Sequence, residues 1–126
     1  MQGYLLVFIG GGVGAAIRHG VNVTFVRWFG TSFPFHTLFE NLTGSLIMGL
    51  LASYFAFNGD TPQHLRLFLT TGILGGYTTF STFSLDAMLL YERHEYAAAG
   101  LYVALSVVGS IGGLALGLLA IRTAAS

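Results

Sequence analysis

Gly75-Gly76-Tyr77-Thr78-Thr79-Phe80-Ser81-Thr82-Phe83-Ser84 decides how this chain is read. A glycine pair, five hydroxyls between Thr78 and Ser84, and two phenylalanines interrupt an otherwise apolar stretch. Hydroxyls are costly in hydrocarbon unless they find partners or line a polar path. On a helix Phe80 and Phe83 share one face, and Thr79 and Thr82 form a second i,i+3 pair beside them. An aromatic ring edge is the positive end of the ring quadrupole, and a hydroxyl can donate, so the two columns together suit an anion. Plain core packing is the competing reading of two phenylalanines.

Outward from that stretch, the composition is that of a membrane protein. Of 126 residues, 54% are hydrophobic and 8% charged, and mean hydropathy is +0.74. A soluble domain carries about 25% charged residues, so this chain lacks the means to cover itself with a polar surface. It has no cysteine, hence no disulfide, and its formal net charge is zero, which removes any electrostatic case for nucleic acid. The N-terminus lacks a basic region ahead of its apolar run, so no cleavable signal is expected.

A span needs roughly 20 mostly apolar residues. Four candidates nearly exhaust the sequence: about Gly3 to Phe29, Thr37 to Phe57, Leu65 to Leu90 and Tyr96 to Ile121. Polar connections at 58–64 and 91–95 separate the later ones. The expected architecture is an all-α membrane protein, residues 1–126 forming one four-helix transmembrane domain. The third span is expected to break at Gly75-Gly76 and the residues after it, because a flexible pair precedes β-branched residues. Counted from Leu65 that point lies about 16–18 Å deep at 1.5 Å per residue, near the bilayer midplane. Broken helices there expose backbone groups and mark ion sites in transporters and channels; a satisfied kink is the alternative. The pairs Gly10/Gly14, Gly72/Gly76, Gly109/Gly113 and Gly113/Gly117 have the spacing that lets helix backbones approach closely. Arginines fall almost evenly on the two sides, Arg66 and Arg122 against Arg93, Arg27 and Arg18, so charge dictates little orientation. Either another determinant orients the chain or it inserts both ways up. Four helices do not enclose a wide conduit, so an oligomer is expected.

The chain resembles the Fluc (CrcB-type) fluoride channels of bacteria over essentially its full length. Gly11-Gly12-Val13-Gly14-Ala15-Ala16-Ile17-Arg18 is similar to the family's first-helix motif, Thr37-Leu38-Phe39-Glu40-Asn41-Leu42-Thr43-Gly44 to its second, and Thr71 to Ser84 to its third-helix signature. Gly109-Ser110 falls where the fourth helix has the same pair. The resemblance implies an antiparallel dual-topology homodimer in the bacterial inner membrane, with two fluoride pores each lined by both subunits. Phe80 and Phe83 would pass fluoride along their edges, and Asn41 would donate its amide. Thr79, Ser81, Thr82 and Ser84 would form the polar stretch, Ser81 and Thr82 nearest the ion. Tyr102, Ser106 and Ser110 would face the pore from the fourth helix, and Arg18 would favour anions at a vestibule. Carbonyls of Gly75 and Thr78 would bind a structural sodium ion at the dyad, a hard cation suited to such oxygens. No G-x-x-x-x-G-K-[ST] phosphate loop occurs, which fits passive flow.

Two residues depart from the family pattern. Glu40 replaces an apolar residue, whether by nature or by design. Either it sits at the interface end of its helix and reaches water, or it weakens fluoride passage beside Asn41. His36, four residues earlier, is within pairing reach on a helix. Asp86 stands where glutamate is more usual, as a modulator near the pore or as a helix-end polar residue. No serine–histidine–acid set supports an enzyme. The competing functions are a small proton-coupled multidrug exporter, whose first-span carboxylate is missing here, and a non-conducting membrane subunit.

Overall fold

A computed structural model describes residues 1–125. Helix α1 spans Gln2–Phe29 and α2 spans Phe35–Phe57. A composite third rod follows: α3 (Gln63–Leu67), a π-helical segment (Phe68–Leu74), α4 (Gly75–Tyr77) and, beyond a break, α5 (Phe80–Glu92). Helix α6 spans Tyr96–Ala125. The first, second and fourth expected spans are thus single helices. α1 and α6 are each long and apolar enough to cross a membrane. α2 has 23 residues, but part of its surface is spent on Thr37, Glu40, Asn41, Thr43 and Ser53.

Local chemistry sets the ends. Gly30 closes α1 with φ 75°, a left-handed conformation that glycine adopts without strain, and its N–H bonds Val26 O at 2.8 Å. Pro34 and Pro62 stand immediately before α2 and α3, where a missing N–H costs nothing.

Glycines bring the helices together in two pairs. On α1, a Cβ at Gly10 would meet Phe68 O and the Gly72 Cα, and one at Gly14 would collide with the Ile73 carbonyl. From the other side, a Cβ at Gly76 would strike Gly11 O. Between α2 and α6, Gly49 lies on the Leu114 backbone and Gly117 on the backbone of Leu46, Gly49 and Leu50. All four expected small-residue pairs therefore work as contact surfaces. Lipid is as apolar as a leucine side chain, so close backbone packing supplies attraction that hydrophobic burial does not.

The break falls at the far end of the expected stretch. Gly75 and Gly76 are helical, and the chain opens at Thr78 (φ −86°, ψ 159°) and Thr79 (φ −154°, ψ 124°). Gly76 is needed for contact with α1, whereas β-branched threonines take extended dihedrals readily. The π segment, one residue wider per turn, was not legible in the sequence. Tyr77 is buried against Gly44, and its hydroxyl pairs with Thr43 Oγ1 at 2.8 Å, tying α4 to α2.

Candidate functional site

Asn41 holds the break open. The Thr79 N–H donates to Asn41 Oδ1 at 2.9 Å, and Asn41 Nδ2 donates back to Thr79 O at 3.0 Å. In an unbroken helix the Thr79 N–H would have bonded the Gly75 carbonyl. The Thr82 N–H, which would have bonded Thr78 O, donates instead to Thr79 Oγ1 at 3.2 Å, capping α5. Both amides that would close the ladder on Gly75 and Thr78 are therefore bonded elsewhere. Two carbonyl oxygens thus released at depth are the donor type a hard cation prefers. Gly75 and Thr78 also line one small cavity of about 160 Å³ with Gly44, Ser45 and Met48.

On the other side of Thr78 lies a larger cavity of about 360 Å³. Asn41, Thr79, Phe80, Phe83, Ser106 and Ser110 line it, as do Ser45, Thr78, Val107 and Ile111. The Phe80 and Phe83 rings lie 5.5 Å apart, and Phe83 is 5.3 Å from the ring of Tyr102. Ser106 Oγ is buried and has no hydrogen-bond partner among the described residues. A buried hydroxyl left without a partner is uncommon and calls for a ligand or water. The N-terminus of α5 adds its positive dipole end at the same place.

The structure gathers part of the expected set and separates the rest. Ser81, Thr82, Ser84 and Tyr102 are not among the described residues that line this cavity. Ser84 Oγ donates to Phe80 O at 3.0 Å, and Ser81 Oγ is 3.5 Å from Thr79 Oγ1. Tyr102, fully buried, continues the Ser110–Ser106 row by one turn, and its hydroxyl donates to Asp86 Oδ2 at 3.2 Å. Thr37 Oγ1 donates to the same oxygen at 2.8 Å. Asp86 is accordingly a tied acceptor inside α5, not a helix-end residue. Arg18 is half-buried and reaches the break from behind, its Nε donating to Gly76 O at 3.0 Å. The reading of Glu40 as a water-facing residue is corrected: it is 1% exposed, because α2 turns it toward α1 and α5. Ser45, Val107 and Ile111 were missed by sequence reasoning. Ser45 is one turn beyond Asn41, and Val107 and Ile111 each follow a predicted serine.

Residues 5–118 match the family described as CrcB-like protein, Camphor Resistance (CrcB). The chain belongs to the CrcB-like family. It is 62% identical over 119 residues to the fluoride-specific ion channel FluC of Rhodopseudomonas palustris strain BisB5, covering 94% of this chain and 96% of that one. It is 57% identical over 122 residues to FluC of Methylobacterium nodulans (97% and 98% covered). FluC of Granulibacter bethesdensis is 53% identical over 123 residues (98% and 97%). The CrcB-like chain is a membrane protein and not an enzyme.

Proposed function

We propose that this chain is a fluoride-selective passive channel of the bacterial inner membrane, crossing it several times, that lets cytoplasmic fluoride leave down its gradient. The cavity at the helix break carries the reading: it combines two phenylalanine rings, an asparagine amide and a buried hydroxyl without a partner among the described residues. Fluoride is small and strongly hydrated, so a narrow path must replace its water with donors. Asn41 keeps a second amide hydrogen after binding Thr79, Ser106 and Ser110 supply hydroxyls, and Phe80 and Phe83 supply ring edges. Thr79, Ser81, Thr82, Ser84 and Tyr102 extend the polar track, and Arg18 favours anions near it.

One subunit does not complete the path. Phe80 is 78% exposed and Ile111, which lines the same cavity, is 68% exposed, so the cavity needs a covering wall. A second copy of this chain in antiparallel orientation provides it, and the even arginine distribution permits both orientations. The resulting homodimer has two pores. The released carbonyls of Gly75 and Thr78 from both copies would hold the structural sodium ion, whose charge biases the interior toward anions. Glu40, a buried carboxyl in a span, is the one feature shared with a proton-coupled exporter.

Fluoride efflux tests this. Purified protein in liposomes loaded with potassium fluoride, with valinomycin and an external fluoride electrode, is expected to release fluoride rapidly. The same liposomes loaded with chloride are expected to release almost none. Exchange of protons for a cationic drug, with no fluoride efflux, would establish the exporter instead.

A further inference from the structure

Buried Glu40 and the half-buried Asn22 and His36 form a polar group that the cavity at the break does not use. Charged neighbours act on Glu40 from two helices, Arg18 of α1 and Asp86 of α5. Tyr77 of α4 and Tyr102 of α6 also lie within its field, and His36 precedes it by one turn. Arg18 directs its Nε to Gly76 O. Among the described residues the only ion pair is Arg93–Glu95, at 3.0 Å, so Glu40 has no cation at ion-pair distance.

One terminal atom of the Asn22 side-chain amide lies 2.5 Å from Glu40 Oε2, 3.0 Å from His36 Nδ1 and 3.1 Å from Arg18 O. If that atom is nitrogen, it donates to an ionised Glu40 and to a His36 Nδ1 that carries no hydrogen. If it is oxygen, it accepts the hydroxyl of a protonated Glu40 and the Nδ1–H of His36. Nitrogen at this position suits all three neighbours, whereas oxygen there faces the Arg18 carbonyl with no hydrogen between them, so the second arrangement becomes favourable only when Glu40 itself carries a proton to donate. The two arrangements differ by one proton on Glu40, a rotation of the Asn22 amide and the tautomer of His36.

The group is wired to the cavity wall. His36 Nδ1 is 3.2 Å from Thr37 Oγ1, which donates to Asp86 Oδ2. With Nδ1 protonated, its one hydrogen is shared between the Asn22 oxygen and the Thr37 hydroxyl, and the Thr37 hydrogen is held donating to Asp86. With Nδ1 bare, its single hydrogen is contested between His36 and Asp86. Asp86 also accepts from Tyr102, whose ring packs on Phe83. We propose that Glu40 is a proton-binding site, set by rotation of Asn22 and sensed at Asp86 through His36 and Thr37, and that protonating it speeds anion passage. The direction follows from charge: neutralising a buried carboxylate adjacent in sequence to Asn41 removes repulsion of a desolvated anion. Only this last step rests on the fluoride-channel reading.

Two readouts on full-length protein in liposomes test it between about pH 5 and pH 8. Infrared difference spectra are expected to show a protonated-carboxyl stretch that grows on acidification and is missing in Glu40→Gln. Its persistence in that variant, or its absence from the wild type, would overturn the site. Fluoride efflux at equal pH on both sides, corrected for hydrogen fluoride leak through protein-free liposomes, is expected to rise about fivefold or more on acidification, the lower range of coupling between sites. Glu40→Gln should be fast at every pH, and a wild-type pH response in that variant would overturn the proposal. His36→Phe leaves Glu40 in place and cuts the link, so it should keep the infrared band and lose the flux response. It provides the test should Glu40→Gln not fold, and an unchanged flux response in it would refute the relay. An intact band with no fluoride efflux at any pH would support the proton site and refute the channel reading.

Discussion

Asn41 commits its amide oxygen and one amide hydrogen to a single residue, Thr79, and the break depends on that exchange. Asn41→Leu leaves a part-buried N–H and C=O of Thr79 without their partners, at up to about 1–3 kcal/mol each were they fully buried. Fluoride efflux is expected to fall steeply and the thermal unfolding midpoint in detergent to drop. Ser106→Ala should behave differently. Its hydroxyl has no partner to lose among the described residues, so stability should stay within about 0.5 kcal/mol while fluoride efflux falls. A destabilised alanine variant with normal efflux would make Ser106 structural. Asn41 and Ser106 were both named as pore residues by the family resemblance, and both line the cavity at the break. The partner of Asn41 was not legible, because which backbone groups an amide meets depends on how far apart α2 and α4 lie. Glu40 was misjudged for a related reason: sequence gives the depth of a residue along its helix but not the face on which neighbours cover it.

Helix contacts in this chain run through backbone, so a methyl group placed in one is felt at once. Gly14→Val would drive its side chain into the Ile73 carbonyl and the Tyr77 amide. Overpacking of that kind costs about 1–3 kcal/mol and should lower the unfolding midpoint and shift α4. Gly100 on α6 has nothing within 4 Å of an added Cβ. Gly100→Ala should be neutral or stabilising by about 0.5–1 kcal/mol, the difference between the two residues inside a helix. Equal destabilisation by both would mean that close packing is not what these glycines provide. The four helical spans could be read directly from apolar run length and polar connections. The break was read as a stretch from Gly75 onward and not to the residue, because the same glycine pair signals both flexibility and close approach, and here Gly76 serves the second purpose. The π segment escaped because its seven residues, Phe68–Leu74, carry no composition that separates them from ordinary helix.

At the scale of the whole molecule, the account needs two copies in opposite orientations. Asn58→Lys with Gln63→Lys adds positive charge to one side of the bundle, and Ser32→Lys with Glu92→Lys adds it to the other. By the positive-inside rule each set should lock one orientation. Each locked chain alone should conduct no fluoride, and co-expression of both should restore efflux. Full activity from either locked chain alone would exclude the antiparallel dimer. Removing sodium on both sides should likewise loosen the dimer, read as an increased monomer fraction by size-exclusion chromatography in lithium or choline buffer. The central claim, that an anion passes the phenylalanine edges at the break, is tested most directly by fluoride efflux from liposomes containing Phe80→Ile or Phe83→Ile protein. The account predicts a loss of at least about tenfold, equivalent to about 1.4 kcal/mol of barrier, in protein that still runs as a folded dimer. Wild-type efflux from both variants would place the path elsewhere.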